Sequence, residues 1–218
     1  ACKKDTLVKE TDILDVWFDS GSSHLAVLTA RNDLAWPSDM YIEGGDQYRG
    51  WFHSSLLIGV GLKGGAPYRC DATHGWTLDA EGRAMSKSLG TNIEPETIVK
   101  QSGAELLRLW VASVDFTEDV RLSEVTLKRL SEAYRKLRNT FRYLLGNTSD
   151  FNVAADALPS EQLLAIDAWI LLRAEDLVRK CRDWYAEYAF HKVYRALYDF
   201  AVTDLSALYF DILKDRLY

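Results

Sequence analysis

Apolar positions change their spacing along this chain of 218 residues. Between Gly21 and Gly90, short apolar runs alternate with glycine clusters, and eleven of the thirteen glycines fall there. This pattern is typical of a layered α/β fold. After Gly103, apolar positions recur every three or four residues and only Gly146 interrupts them, which predicts a helical bundle. The pattern therefore predicts an α/β region followed by an all-helical region.

The α/β region is predicted to begin its sheet with a strand over residues 40–42, which leads into the turn Glu43-Gly44-Gly45-Asp46-Gln47. Residues 51–63 are predicted to form the next helix, because Gly64 then ends the apolar pattern. A second strand is predicted over residues 68–78.

A turn and a loop are predicted to follow this second strand. Asp79 and Gly82 stand at the first and fourth positions that a type I turn favours. The polar segment beyond it, residues 83–90, is expected to be a mobile loop. Pro95 is typical of a first helical turn and Gly103 of a helix end, so a short helix is predicted between them.

The longest predicted helix ends at Gly146 and has two different faces. Its apolar stripe steps by three and four residues and consists of Leu127, Leu130, Tyr134, Leu137, Phe141 and Leu144. Its basic residues lie mainly on the opposite face and are Lys128, Arg129, Arg135, Lys136, Arg138 and Arg142. Further helices are predicted over residues 161–184, 190–202 and 205–217.

Composition fits a globular protein: 48% of the residues are hydrophobic, and 32 acidic residues oppose 26 basic ones for a net charge of −6. No apolar run reaches the roughly 18 residues of a membrane-spanning helix, and residues 1–5 are too polar for a secretory signal. We therefore expect a cytoplasmic location and no membrane partner. Cys2, Cys70 and Cys181 are far apart, which predicts reduced thiols and no metal site. The first methionine is Met40, which indicates a piece of a longer protein.

The turn after the first strand carries polar groups where open α/β sheets bind ligands, outside the carboxyl ends of the strands. Gly44 and Gly45 let a ligand approach the backbone. Glu43 and Asp46 can accept hydrogen bonds from hydroxyl or amino groups, and the Gln47 amide can recognise a carbonyl. A structural turn with solvated acids is the alternative interpretation.

Ser86-Lys87-Ser88 is a second candidate, because an ammonium and two hydroxyls suit a phosphate whose charge grows during reaction. It is not a Walker A loop, since Ser86 stands where that motif needs glycine before the lysine. A polar surface loop is the alternative.

Aromatic residues mark two further candidates. Gly75 would admit a flat ligand beside His74, with Trp76 flanking it, although a histidine among aromatics also suits a core. Trp17 is predicted either to wall an apolar pocket or to anchor the core.

The long helix carries a separate signal in its charge. Between Arg121 and Arg142, seven basic and two acidic residues give a local excess of five positive charges. This segregation in an acidic chain indicates a polyanionic partner, and a solvated face is the alternative.

In order and spacing, these segments closely resemble the class I isoleucyl-tRNA synthetases. The matching segments are residues 15–21 (DVWFDSG), 43–52 (EGGDQYRGWF), 73–76 (THGW), 84–88 (AMSKS), 107–113 (LRLWVAS), 138–140 (RNT) and 209–216 (YFDILKDR). The resemblance covers essentially the whole chain. It implies the C-terminal half of a Rossmann-type catalytic domain over residues 1–92, an all-α stem-contact connector over 93–125, and the start of an anticodon-binding bundle over 126–218.

The resemblance also implies a function: ATP-dependent activation of isoleucine to isoleucyl-adenylate, then transfer to tRNA(Ile). ATP is then a substrate, Mg²⁺ is expected with it, and the basic helix face contacts tRNA. The implied site residues are Glu43, Gly44, Gly45, Asp46 and Gln47 around the aminoacyl-adenylate, His74, Gly75 and Trp76 along its adenine, Trp17 in the isoleucine pocket, and Lys87 with Ser86 and Ser88 at the phosphates.

The sequence also departs from the family pattern at several positions. Ala84 stands where the family has the first lysine of Lys-Met-Ser-Lys-Ser. None of His24, His53, His74 and His191 is followed by Gly-His, so no His-Ile-Gly-His element occurs. The family's zinc region, editing domain and first half of the catalytic fold also lie outside this chain. We therefore expect an internal synthetase segment that is inactive without the remainder. The alternatives are a free-standing tRNA-binding or regulatory module and an unrelated nucleotide-binding α/β protein.

Overall fold

The computed structural model describes residues 8–85 and 90–217, and the chain forms two compact units that meet in sequence between Gly75 and Trp76. The first unit combines helices with a parallel strand pair, and the second is mostly helical. The predicted order, an α/β region followed by helices, is confirmed. No helix in the described ranges is long and apolar enough to span a membrane.

The first unit is built around one parallel strand pair. Its elements are α1 (Val16–Ala26), β1 (Tyr41–Gly44), a 3₁₀ helix (Gly45–Arg49), α2 (Trp51–Lys63) and β2 (Asp71–His74). Tyr41 lies opposite Asp71, and Gly44 lies opposite His74. The helix predicted over residues 51–63 is confirmed, because Gly64 takes the left-handed conformation (φ 74°) that commonly ends a helix.

The glycine-containing helix α1 was not predicted from the pattern. Asp15 caps its first turn, where the carboxylate accepts a hydrogen bond from Trp17 N at 2.8 Å. Gly21 lets α1 approach α2 closely, since a Cβ at Gly21 would lie 2.7 Å from Cβ of Ser54. Contact with α2 therefore stabilises a segment whose own helix propensity is modest.

The predicted continuous strand over residues 68–78 is wrong. It is divided into β2 and the short strand β3 (Thr77–Leu78), which pairs with β4 (Val120–Arg121) in the second unit instead of with β1. Between them, the backbone N–H of Trp76 donates to the Asp119 carboxylate at 2.7 Å. The strand changes partner at this point, which periodicity along one segment does not reveal.

The second unit continues as a helical assembly. Its helices are α3 (Pro95–Ser102), α4 (Ala104–Ser113), α5 (Glu124–Asn147), α6 (Val153–Asp156), α7 (Ala165–Ala186), α8 (Phe190–Asp199) and α9 (Phe210–Leu217), with a 3₁₀ turn at Ser160–Gln162 and a π-helical segment at Phe200–Tyr209. Ile98, Leu106, Trp110, Leu122 and Leu130 form its buried apolar core.

The long helix α5 packs through the predicted stripe in its first half, where Leu130 is buried and Leu127 and Tyr134 pack against the same core, and departs from it in its second half. Phe141 is 63% exposed and Leu144 is 36% exposed, whereas Leu130 and Thr140 are buried. Thr140 is tolerated there because its hydroxyl donates to the carbonyl of Lys136 at 3.1 Å. The buried face thus drifts around the helix, and Phe141 is left at the surface.

The last two predicted helices form one continuous helical segment. Helix α8 runs through the π-helical segment into α9 without a break. Within it, the Ser206 hydroxyl donates to the carbonyl of Ala201 at 2.7 Å. The ring of Phe210 stacks on Tyr143 of α5, with 4.2 Å between ring centroids. The sequence pattern predicts a break between two helices near residue 203. Hydrogen bonds that span five residues instead continue the helix through this point.

Candidate active site

The carboxyl ends of β1 and β2 bring together the two polar segments that the sequence singled out in this unit. In the parallel register, Glu43 lies opposite Thr73 and Gly44 lies opposite His74. The carboxyl edge of a parallel strand pair is where α/β folds bind ligands. The geometry therefore places Glu43, Gly44 and His74 at one edge, as a shared ligand site requires.

The turn after β1 is tied to β2 by one short contact. Gly45 begins the 3₁₀ helix, and the Tyr48 hydroxyl lies 2.6 Å from the Thr73 hydroxyl. Asp46 is exposed on this helix, and its carboxylate accepts a hydrogen bond of 3.5 Å from the Gln47 amide. The contact between the Tyr48 and Thr73 hydroxyls therefore holds the turn against β2.

Gln47 has a structural partner within the chain. Its Oε1 accepts a hydrogen bond of 2.8 Å from the backbone N–H of Trp51, at the start of α2. This contact satisfies one of the N–H groups that a helix leaves unpaired at its first turn. The amide oxygen is therefore engaged, and since one Nε2 hydrogen is directed at Asp46, the second Nε2 hydrogen is the donor left for a ligand.

Trp17 lies beside the backbone of Gly50 in the first unit. A Cβ at Gly50 would be 2.9 Å from Cη2 of the Trp17 ring. The indole is 47% exposed and contributes to a surface groove of about 460 Å³ with Phe18, His53 and Leu57. Trp17 is thus half-buried at the wall of this groove.

His74 is oriented by its neighbour. Its Nδ1 lies 2.8 Å from the carbonyl oxygen of Gly75. A carbonyl only accepts, so Nδ1 donates and a neutral ring keeps Nε2 as an acceptor. Trp76, the third residue of this predicted group, belongs to the second unit and is 53% exposed.

The predicted turn after β3 is confirmed and continues as a firmly bonded hairpin. The N–H of Gly82 donates to the carbonyl of Asp79 at 3.1 Å, and Ala84 forms an antiparallel bridge with Leu78. Residues 83–85 were expected to be mobile, yet Arg83 is bonded to Asp79 and Met85 packs against the core. Ser86, Lys87 and Ser88 lie outside the described residues.

Asp79 is the centre of that hairpin. Its side chain is 7% exposed, and its Oδ1 accepts hydrogen bonds from the N–H groups of Glu81 and Arg83 at 3.0 and 2.8 Å. The Arg83 guanidinium bonds Oδ2 at 3.0 Å. These bonds, that of the Arg83 N–H above all, lower the pKa of Asp79.

Three of the six basic residues singled out on α5 are already engaged. Lys128 pairs with Glu124 at 3.6 Å, Arg135 pairs with Glu132, and Nζ of Lys136 lies 3.3 Å from the Tyr198 hydroxyl. Lys136 therefore faces the neighbouring helix, in contrast to the prediction for the whole set.

The other three bases on α5 are freer. Arg138 lies over the Tyr134 ring, 5.7 Å from its centroid. Arg129 and Arg142 have no ion pair among residues 8–85 and 90–217. Arg138 and Arg142 border a depression of about 790 Å³ that the exposed Phe141 also lines. Cations and aromatic rings thus share one face, the combination that single-stranded nucleic acids favour.

Sequence reasoning overlooked Trp51 at the edge of the strand pair. Its ring stacks on Tyr41 with 4.1 Å between centroids and 3° between planes, and its indole N–H donates to the carbonyl of Ser20 at 3.0 Å. The available signal was its position directly after Gly50 in the segment EGGDQYRGW. Trp51 links β1, α1 and α2, so it fixes the surroundings of the predicted pocket.

Comparison with known proteins identifies the family of the chain. A family model described as tRNA synthetases class I (I, L, M and V) matches residues 1–123, and one described as the anticodon-binding domain of tRNA ligase matches residues 167–218. The chain therefore belongs to the class I tRNA synthetases.

Within this family, the chain is similar to isoleucine–tRNA ligases. It is 55% identical to that of Brevibacillus brevis and 52% identical to that of Syntrophotalea carbinolica, over 217 residues each. These alignments cover 100% of this chain and 23% of each relative. The chain thus spans about a quarter of the length of the curated relatives it matches.

Solved structures show the same fold at low sequence identity. A LeuRS of Agrobacterium radiobacter K84, in a ternary complex with tRNA and LeuAMS, has a TM-score of 0.73 at 19% identity, over 91% of this chain and 28% of that one. A methionyl-tRNA synthetase of Mycobacterium tuberculosis, bound by methionyl-adenylate, has a TM-score of 0.72 at 21% identity, over 91% and 40%.

Proposed function

We propose that the full-length protein containing this chain activates isoleucine with ATP and transfers it to tRNA(Ile) in the cytoplasm. The observation that carries the proposal is the carboxyl edge of β1 and β2, where Glu43 and Gly44 lie opposite Thr73 and His74. The same unit holds the groove that Trp17 lines. Near-complete alignment with isoleucine–tRNA ligases supports isoleucine as the amino acid.

In the proposed reaction, a carboxylate oxygen of isoleucine attacks the α-phosphorus of ATP and pyrophosphate leaves. The mixed anhydride is then attacked by the terminal ribose hydroxyl of tRNA, and AMP leaves. Glu43 and Asp46 would accept hydrogen bonds from the amino and hydroxyl groups of the adenylate, and Gly44 and Gly45 would let it approach the backbone. The Nε2 donor of Gln47 would bind an oxygen of the aminoacyl part.

The adenine would lie along His74, Gly75 and Trp76, with Nε2 of His74 accepting a hydrogen bond. Lys87, with the hydroxyls of Ser86 and Ser88, would stabilise charge that grows as pyrophosphate departs. Mg²⁺ would arrive with the triphosphate, because proteins usually hold this ion through one or two carboxylates together with substrate phosphates.

The arrangement of domains follows from this function. Residues 1–92 would complete the catalytic domain, residues 93–125 would contact the acceptor stem, and residues 126–218 would begin the anticodon-binding bundle. The donors of a His-Ile-Gly-His element would come from the remainder of the protein. We therefore expect residues 1–218 alone to form no isoleucyl-adenylate.

The test is Trp17→Ala in the full-length protein, followed by isoleucine-dependent ATP–pyrophosphate exchange. If Trp17 walls the isoleucine pocket, the KM for isoleucine rises about tenfold or more, because even one methylene contact discriminates by this amount. The KM for ATP stays near the wild-type value. Leu34→Ala, which shortens another partly exposed apolar side chain of the first unit, serves as the control.

Two results would contradict the proposal. Absence of isoleucine-dependent exchange in the wild-type full-length protein, with tRNA binding retained, would favour a tRNA-binding module. Equal losses for isoleucine and ATP in Trp17→Ala would show that the residue supports the fold and does not form the pocket.

A further inference from the structure

Gly50 occupies a position with no room for a side chain. It is buried between the 3₁₀ helix and α2. A Cβ there would lie 2.6 Å from Oε1 of Gln47 and 2.9 and 3.0 Å from Cη2 and Cζ3 of Trp17. The atoms in the way thus belong to two side chains of the proposed site.

Neither neighbour can yield without a change at the site. Gln47 Oε1 would have to leave the N–H of Trp51, which it holds at 2.8 Å. Trp17 would have to swing out of the groove wall, because the backbone of α1 is fixed against α2 where Gly21 meets Ser54. Both obstructing groups are side-chain ends, so a methyl group at position 50 would displace them and leave the helices in place.

We propose that Gly50 is a positioning residue of the amino-acid pocket. Because Gly50 has no side chain, the Trp17 ring can lie against the backbone and the Gln47 amide can keep its hydrogen bond with the N–H of Trp51. This inference rests on the proposed role of Trp17 as the pocket wall. A methyl group at Gly50 should therefore affect isoleucine recognition before it affects ATP.

Gly61 offers a control in the helix that Gly50 precedes. It lies inside α2 (Trp51–Lys63), whereas Gly50 stands just before the first turn, and a Cβ at Gly61 would meet nothing within 4 Å. Gly61→Ala thus adds the same methyl group to the adjoining helix without touching the pocket. Any effect specific to Gly50→Ala then comes from contact with its neighbours.

The experiment compares Gly50→Ala, Gly61→Ala, Trp17→Phe and the double variant Gly50→Ala/Trp17→Phe in the full-length protein. Isoleucine-dependent ATP–pyrophosphate exchange supplies kcat and the KM for isoleucine and for ATP. We expect Gly50→Ala to raise the KM for isoleucine by about tenfold or more, with the KM for ATP within about twofold of wild type. Gly61→Ala should match wild type.

The double variant separates a clash from a general defect. Phenylalanine lacks the outer ring atoms that a Cβ at Gly50 would meet, so it relieves the contact with Trp17 and leaves the contact with Gln47 in place. The KM for isoleucine in the double variant should be lower than the product of the two single effects predicts, because residues in contact are not additive. Thermal unfolding of each variant accompanies the kinetics.

Three outcomes decide the matter. If Gly50→Ala behaves like Gly61→Ala while Trp17→Phe changes the KM for isoleucine, the positioning role is wrong and the proposed pocket stands. If Trp17→Phe leaves that KM unchanged, the proposed pocket itself fails. If Gly50→Ala weakens isoleucine and ATP equally, lowers the unfolding temperature and is not rescued by Trp17→Phe, the residue is only structural and the inference is overturned.

Discussion

Asp79 shows at the residue scale how a short turn becomes a firm anchor. Its carboxylate collects two backbone N–H groups and the guanidinium of Arg83. These donors favour the ionised carboxylate and lower the pKa of Asp79. The segment that leads to Ser86 therefore starts from a hairpin with a defined geometry.

Asp79→Asn should loosen this hairpin, because an amide keeps one acceptor oxygen but presents N–H groups to the Arg83 guanidinium. We expect the backbone N–H groups of Glu81 and Arg83 to exchange with solvent about tenfold faster in the full-length protein. Hydrogen exchange resolved by residue measures this directly. Glu81→Gln is the control, since the Glu81 carboxylate is 63% exposed and its pair with Arg83 should contribute little. Equal exchange rates in Asp79→Asn and wild type would show that the turn residues alone hold the hairpin.

At the scale of the element, α5 combines a buried face with a charged and aromatic surface. Arg138 and Arg142 flank Phe141 around one depression, while Lys136 is held by Tyr198. Arg138 and Arg142 are therefore better candidates for phosphate contacts than the six basic residues of α5 taken together.

Arg138→Glu/Arg142→Glu should weaken tRNA binding by the full-length protein without changing which amino acid is activated, because phosphate contacts position RNA and carry little sequence information. Each lost contact should reduce the log–log salt dependence of affinity by about 0.7 to 0.9. The control is Arg31→Glu/Arg69→Glu, two exposed arginines of the first unit that pair with Asp33 and Asp39. Affinity is measured at several salt concentrations, and an unchanged slope would assign this face to solvent.

The predictable elements are those with local signals at their ends. Gly64 ends α2 in the left-handed conformation, and Pro95 begins α3, so both helices were found from the sequence. Helix α1 was missed because its stability depends on contact with α2, and the division after β2 was missed because the partner of a strand is a tertiary property. Residues that begin or end a helix could be recognised in the sequence, whereas contacts between distant segments could not.

The same division applies to the candidate site. Glu43 and His74 were recognisable from their motifs, and the parallel register places them one position apart on neighbouring strands. Gly50 was not recognisable, because its constraint arises only when Trp17 of α1 lies over it. A glycine required by a neighbouring helix looks the same in sequence as one in an ordinary turn.

At the scale of the whole molecule, one carboxylate connects the start of α7 with the π-helical segment and with α9. Asp167 of α7 accepts hydrogen bonds from the Tyr209 hydroxyl at 2.9 Å and from the Arg216 guanidinium at 2.9 and 3.0 Å. Burial, together with this contact, raises the pKa of Tyr209 to about 12. Residues far apart in sequence therefore share one polar junction.

Asp167→Asn should weaken the docking of α9, since the charged partner of Arg216 is lost at a site where the Asp167 side chain is 13% exposed. We expect the free energy of local opening to fall by about 1–2 kcal/mol, given that Arg216 itself is partly solvated. Hydrogen exchange of the α9 amides in the full-length protein measures that energy. Asp211→Asn is the control, because Asp211 is 65% exposed and pairs with the exposed Lys214. Equal opening energies for both variants would show that apolar packing alone docks the helix.

The π-helical segment Phe200–Tyr209 sets the rotational phase of the residues beyond it. Its hydrogen bonds span five residues where an α-helix spans four, so each turn holds more of the chain. Deleting one residue there would let the backbone close into an ordinary α-helix, with its local hydrogen bonding intact. The narrower turn would take up the missing residue, so Phe210 would stay against Tyr143 and Arg216 against Asp167. If the segment instead closed into α-helical turns at its full length, every later residue would turn by about 100° and both contacts would be lost. The wide turns therefore absorb one residue of chain and keep the last helix aligned with its two partners.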